Sequence, residues 1–271
     1  MRVKRLSGRY RKAVEALLME DREVNLFLLG FLDAQPLDRL YWCGVVDKAA
    51  VRAVTLVVPG RLVVPYAPQP EQAASMGLFL RSRYRPCMVI GPREASDHLW
   101  RGWAPGAATD CYFDQRHYVA TEAPPGSPPR GFRRAEPSEW REISRHAGRM
   151  EEEDLGHNPV VHDTVHHETA VRYRLKMGRT WMIDRDGEIV FLINVGTVTR
   201  WGSQVGGTFV PGPHRGRGLA TAGMRALLQH LLPEHHLVTL HVNEANLPAV
   251  RVYEKAGFVR HAPFRLIRPR S

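Results

Sequence analysis

Residues 213–220 read P-H-R-G-R-G-L-A, and a helical pattern, T-A-G-M-R-A-L-L-Q-H-L-L, follows at once. Two glycines and two arginines at the mouth of a helix are suited to holding an anion. The first N–H groups of a helix have no acceptor within it. They carry partial positive charge, and phosphate binds well there. Gly216 and Gly218 let a ligand approach the backbone, and Arg215 and Arg217 add charge. The same glycines also suit a plain turn. No G-K-[ST] closes the loop, which argues against a triphosphatase P-loop. No G-x-G-x-x-G with an acid about 20 residues on is present, which argues against a dinucleotide site. Further along, Asn246 stands where it can cap a helix, and Tyr253 stands at helical spacing, in the core or at a cleft. The acidic run Glu151, Glu152, Glu153 and Asp154 is either a solvated helix end or a lure for a cation. His162 and His166, four apart, would share one helix face, which is half of a zinc geometry. The H-E-x-x-H order is missing, so no metal is expected.

These residues need a scaffold. The stretch T-E-A-P-P-G-S-P-P-R-G at 121–131 breaks the chain, because proline and glycine continue neither a helix nor a central strand. Two domains are expected, 1–122 and 131–271, joined by a linker at 123–130. In the first, Tyr10, Val14, Leu17 and Leu18 have helical spacing. V-N-L-F-L-L-G-F-L follows, core or interface. Then come three strand-like runs with Pro59-Gly60 as a turn, a helix near 70–83, a strand C-M-V-I, a helix opening at G-P-R-E, and a strand H-Y-V-A. In the second, a short strand G-F-R-R-A precedes a helix with Ser138 as its cap. Asp163 is placed to cap the next helix. Asp186-Gly187 turns a hairpin. The strand W-G-S-Q-V-G-G-T-F-V leads into the glycine–arginine loop. After the helix come a strand L-V-T-L-H-V, a helix ending at Gly257, and the strands F-V and F-R-L-I. No internal repeat is visible in the sequence.

Composition narrows the classes. The chain has 271 residues, 44% hydrophobic and 24% charged, as an ordinary globular protein with a sizeable core does. Its longest apolar run, residues 26–32, is far too short to span a membrane. The basic start has no apolar stretch directly behind it, so no secretory leader is expected. Three cysteines without close spacing point to reduced thiols and a cytoplasmic setting. The net charge of +10 comes mostly from arginine, with 33 Arg against 5 Lys. It is spread along the chain without a basic block, so nucleic acid is not the expected partner.

The pattern Arg215-x-x-Gly218-x-Ala220 resembles the pyrophosphate loop of the GNAT (GCN5-related) N-acetyltransferases, [QR]-x-x-G-x-[GA]. About 25 residues later, H-V-N-E-A-N-L-P-A-V-R-V-Y-E-K-A-G-F-V resembles the C-terminal signature of that superfamily through Asn246, Ala249, Tyr253, Gly257 and Phe258. The resemblance spans about 130–271. The whole chain is similar to two-domain GNAT proteins with a poorly characterised front domain. The fold implied is α/β: a C-terminal GNAT fold with a mixed, central, splayed sheet flanked by helices. A smaller α/β N-terminal domain, or a degenerate GNAT-like half, precedes it. The activity implied is transfer of an acetyl group from acetyl-CoA, a co-substrate, to a primary amine of a small molecule or peptide, by a monomer or homodimer. On that resemblance Phe209 and Val210 pair with pantetheine. Arg215, Gly216, Arg217, Gly218, Leu219 and Ala220 hold the pyrophosphate, and Asn246 contacts the CoA arm. Tyr253 protonates the departing thiolate. Many relatives carry a glutamate on the strand before the loop, and W-G-S-Q-V-G-G-T-F-V has none. The base is then sought in the acidic run, with Glu152 and Glu153 as catalytic candidates and Glu151, Asp154, Asn194 and Asn243 placed at the acceptor. Two alternatives stay open: an acyl-CoA sensor without turnover, and a tandem-GNAT transferase with another acyl or aminoacyl donor.

Overall fold

The computed structural model describes residues 2–156 and 158–270. The first half runs β1 (Arg2–Arg5), α1 (Arg11–Met19), α2 (Arg22–Ala34), β2 (Tyr41–Asp47), β3 (Ala50–Val58), β4 (Leu62–Tyr66), α3 (Pro70–Arg81), β5 (Met88–Pro92), α4 (Arg93–Trp103) and β6 (Thr109–Ala120). The second runs β7 (Phe132–Arg134), α5 (Trp140–Leu155), α6 (Pro159–His162), α7 (Thr164–Lys176), β8 (Thr180–Arg185), β9 (Glu188–Thr199), β10 (Gly202–Phe209), α8 (Leu219–His235), β11 (Val238–Asn243), α9 (Leu247–Ala256) and β12 (Val259–Pro269). Apart from the one-turn α6, the two halves repeat the same order of elements.

Among the described residues the twelve strands form one mixed sheet, β1-β2-β3-β4-β5-β12-β6-β11-β10-β9-β8-β7. The order is a palindrome of the repeat, with the last strand of each half exchanged. β12 lies against β5, and β6 lies against β11. The repeat is invisible in the sequence because strands ask only for apolar, β-branched patterns, whereas the connections differ. Three residues join β4 to α3, and nine join β10 to α8.

The two exchanged strands are longer than their apolar stretches foretell. β6 starts at Thr109, well before H-Y-V-A, and β12 fuses F-V with F-R-L-I into one strand. Their charged residues are poor strand formers alone. Ion pairs satisfy them: across the sheet Arg265 with Asp114 at 2.8 Å, and to neighbouring elements Arg265 with Asp97 of α4 at 2.8 Å, Asp114 with Arg93 of α4 at 2.9 Å, and Arg116 with Glu244, just past β11, at 2.9 Å.

The segment V-N-L-F-L-L-G-F-L is both core and interface. Leu26, Leu28, Leu29 and Leu32 of α2 are buried. Gly30 lies so close to β9 that a methyl group there would collide with Cγ2 of Thr197. Ser138 does not cap α5. A short 3-10 helix, Pro137–Glu139, precedes it, and Glu136 and Glu139 cap that turn reciprocally. The expected shared face of His162 and His166 is broken, since His162 ends α6 and His166 belongs to α7. The His162 side chain lies outside the described residues. His166 contacts Arg61, and the buried His167 ring lies 3.0 Å from the Ser144 carbonyl. Asp163 precedes α7 without a side-chain cap bond. Cys43, Cys87 and Cys111 are free and buried. Among the described residues no helix is long and apolar enough to cross a membrane.

Candidate functional site

The site begins where a ladder stops. β10 and β11 run parallel but share only the pairs Ser203↔Val238 and Gln204↔Thr239. Beyond them the pairing of β10 with β9 slips between Gly206 and Phe209. Gly207 sits there at φ +66, a conformation that favours glycine. Past the slip Phe209 still pairs with Leu192 of β9, while β10 has parted from β11, and a cavity of about 470 Å³ opens beside it.

Four elements line this cavity: the strand end Thr208, Phe209 and Val210; the loop from His214 to Gly218; the first turn of α8; and α9. Met150, Glu153 and Asp154, near the end of α5, close the remaining side. Gly216 and Gly218 have φ of +74 and +75. A methyl group on either would meet nothing within 4 Å. Glycine is therefore required by backbone conformation, and the space over the loop is open to a ligand. The Ala222 N–H makes the first bond of α8, to the Gly218 carbonyl at 3.0 Å. The N–H groups of Leu219, Ala220 and Thr221 precede it and have no acceptor within the helix. All three residues line the cavity.

Asn246 caps α9, accepting from the Ala249 N–H at 3.2 Å, and also lines the cavity. Tyr253, seven residues on, is only 7% exposed. Its ring meets Phe258 edge-on at 6.1 Å. Burial pushes the Tyr253 hydroxyl above the ordinary tyrosine value. Thr208 beside it acts in the opposite sense, and the charge of Asp154 adds to the rise. The Asp154 carboxyl is likewise pushed up, first by desolvation and then by Glu153, with Arg215 opposing.

The acidic run is a helix end: it forms the last turns of α5, which ends at the left-handed Gly156. Its four members have different surroundings. Glu153 is held by Arg215, whose Nη2 lies 2.9 and 2.7 Å from its two oxygens. Glu152 accepts from Asn158 at 3.0 Å, on the exposed side. The charge of Glu151 acts on Arg174 of α7. Asp154 lines the cavity with no ion pair or hydrogen bond among the described residues. Arg217, Glu151, Glu152, Asn194 and Asn243 lie outside the lining. Asn194 accepts from Thr180 at 2.8 Å, and Asn243 accepts from the Ala245 N–H at 3.0 Å.

Several lining residues escaped sequence reasoning. Thr208 is one. Arg251 and Lys255 on α9 are others; four apart, they share a helix face, and the packing of α9 turns that face to the cavity. Away from the cavity, ligating atoms of Asp21, Glu23 and His261 lie within 4.8 Å of one another. Two of them have other partners, since Asp21 caps α2 and Glu23 pairs with Arg22 at 2.9 Å, and His261 faces Asp21 at 3.6 Å.

Residues 140–258 match the acetyltransferase (GNAT) family. The C-terminal half has the GNAT fold. A GCN5-related N-acetyltransferase from Sphaerobacter thermophilus aligns over 98% of this chain and 94% of its own, with a TM-score of 0.64 and 18% identity. A GNAT acetyltransferase from Colwellia psychrerythraea aligns over all of both chains, with a TM-score of 0.58 and 9% identity. A tandem GNAT protein from the clavulanic acid biosynthesis pathway covers 98% of this chain and 97% of its own, with a TM-score of 0.55 and 16% identity. These likenesses extend through both halves and agree with a GNAT-like front half. No curated protein matches the chain in sequence.

Proposed function

We propose that the protein is an acyl-CoA-dependent N-acetyltransferase that moves an acetyl group from acetyl-CoA to a primary amine of a small molecule or peptide. One observation carries the reading. A single cavity, at the split between β10 and β11, is bordered by the unpaired amides of α8, the cap of α9, the buried Tyr253 and two carboxylates. The amides of Leu219, Ala220 and Thr221 suit a diphosphate. The strand end Thr208–Val210 suits the pantetheine arm, and its N–H groups can polarise a thioester carbonyl.

The acceptor ammonium gives a proton to a carboxylate. Asp154 is assigned this role, because it lines the cavity, its charge acts on Tyr253 and its raised carboxyl takes up a proton more readily, whereas Glu152 lies outside the cavity. The amine nitrogen then attacks the thioester carbon. As the C–N bond forms and the C–S bond breaks, the nitrogen gives its second proton to solvent and the sulfur takes the Tyr253 proton; solvent then reprotonates Tyr253 and takes the proton from Asp154. Burial favours the protonated tyrosine that this step needs.

The first half is assigned no donor site. Its equivalent gap, past the pairs Leu62↔Met88 and Val63↔Val89, is packed by Val24, Asn25 and Leu28 of α2. Only about 10 Å³ is left there. We assign this supporting role to residues 1–122, with 123–130 as the linker to the catalytic unit, 131–271. The buried thiols fit a cytoplasmic setting.

Calorimetric titration with acetyl-CoA, on the native protein and on Gly218→Glu, tests the donor site. Micromolar binding that the substitution abolishes supports it; no binding by the native protein removes it. Thiol release across a panel of amines then tests turnover. Because β10 carries no carboxylate, a non-catalytic acyl-CoA sensor is the second reading. Tight binding with no thiol release from any amine would favour it.

A further inference from the structure

One ion pair crosses the mouth of the cavity. Arg215 stands at the start of the glycine loop, and Glu153 stands near the end of α5. The Arg215 Nε donates to the Val210 carbonyl at 2.9 Å, and its Nη2 reaches both Glu153 oxygens at 2.9 and 2.7 Å. This is one nitrogen on two oxygens, not the parallel fork that makes arginine–carboxylate pairs strong. The two side chains are 49% and 52% exposed. Such a pair is weak and easily exchanged. Arg215 also belongs to the loop whose glycines and helix amides offer an anion site, so its guanidinium has a second claimant.

We propose that Arg215 serves two partners in turn: Glu153 in the free protein, and the donor's diphosphate in the complex. This rests on the donor reading given above. A diphosphate is a stronger partner for a guanidinium than a solvent-exposed carboxylate, because it offers charge and several acceptors beside the helix amides. When it takes Arg215, Glu153 loses its counter-charge. Glu153 and its neighbour Asp154 then face the cavity together as two carboxylates without an arginine. Their combined charge suits a cationic amine. The free protein, by contrast, has one of these carboxylates neutralised. Donor binding therefore prepares the acceptor side. Linkage requires the coupling to run both ways, so a bound cationic acceptor strengthens donor binding equally.

The cost of breaking the pair must appear in the affinity of the free protein for CoA. Glu153→Gln removes the competitor and should tighten CoA binding about two- to fivefold, the worth of an exposed pair. A carboxylate near an anionic ligand also repels it through space, so the control is the same substitution in an Arg215→Gln background. Calorimetric titration of CoA into the native protein, Glu153→Gln, Arg215→Gln and the double variant closes the cycle. Pantetheine, which lacks the diphosphate, is titrated alongside. The expected result is tightening by Glu153→Gln only when Arg215 is present, and only for CoA. Equal tightening in both backgrounds would mean a field effect and would overturn the hand-over. Unchanged or weaker CoA binding in Glu153→Gln would mean that Glu153 holds the loop in its binding form, and would overturn it too. If the native protein binds no CoA, the donor reading itself fails, and that outcome is distinct from the other two. Both sites are exposed, so the variants should fold; equal melting temperatures would verify this.

Discussion

Replacing Tyr253 by phenylalanine removes a single oxygen from the middle of the cavity. The ring stays packed against Phe258, so the core loses little. Thr208 lies beside the lost hydroxyl, but its Oγ1 makes no hydrogen bond among the described residues, so about 1 kcal/mol or less of stability goes with the oxygen. A change in melting temperature of a few degrees at most is expected. The effect on turnover should be far larger. A positioned acid accelerates the step it serves by about a hundredfold to ten-thousandfold, which is about 3–5 kcal/mol of barrier. CoA affinity should stay within about twofold, since loop amides and strand backbone, not this hydroxyl, are assigned to the donor. Thiol release measured at saturating amine and acetyl-CoA reads kcat, and calorimetry reads the affinity. The pH profile adds a second check. Burial raises Tyr253 above the ordinary value of 10.0, so activity should not fall on the alkaline side until beyond it. Asp154 must be ionised to accept a proton, and its carboxyl is pushed above the ordinary 3.8. Activity should therefore fall as pH drops through that raised value, and Asp154→Asn should abolish that limb along with most of the rate. A kcat for Tyr253→Phe within about threefold of the native value would refute Tyr253 as the acid.

Gly30→Ala should destabilise the protein by about 1–3 kcal/mol, because the added methyl must push α2 away from Thr197 on β9; urea unfolding measures it. Cys43 and Cys87 are buried, with thiols pushed by desolvation up to about 12 and about 11. A thiol reagent should leave both unlabelled in the native protein and label both in urea. Glu139 is held below the ordinary carboxylate value of 4.5 chiefly by its hydrogen bond from Arg133. A depressed carboxyl adds stability above its unfolded value and loses it as pH falls through the folded one. Arg133→Met should thus be less stable than the native protein at neutral pH, and the difference should shrink on acidification below that range.

Much of the local structure was legible because its causes are local. Asp186-Gly187 turns the β8–β9 hairpin, Asn246 caps α9 through Ala249, and Gly257 ends that helix at φ +106. The anion loop was legible for the same reason. Glycines directly before an apolar helical pattern allow the left-handed backbone that Gly216 and Gly218 adopt. The acidic run was harder. Its sequence says that four carboxylates cluster, but their division among Arg215, Asn158, the neighbourhood of Arg174 and the open cavity follows from where α5 ends beside the loop. Ser138 was misread because Glu136 and Glu139 form a reciprocal cap one turn earlier. The helix break between His162 and His166 follows an Asp163 whose backbone leaves the helical region.

The sequence by itself determined most of the order of helices and strands, though not β1, α6 or the single β12, and the place of the glycine loop before its helix. Each depends on neighbours a few positions apart, through capping, turn geometry and periodic apolar faces. Only the tertiary structure decided that β6 and β12 are exchanged between the halves, since their charged residues become strand residues only once Arg265, Asp97 and Asp114 meet. It alone decided that the gap beside β4 is filled by α2 while the gap beside β10 is open. Both gaps arise from the same local event, a parallel ladder that stops after two pairs. Which of them can admit a ligand depends on side chains that arrive from distant parts of the chain.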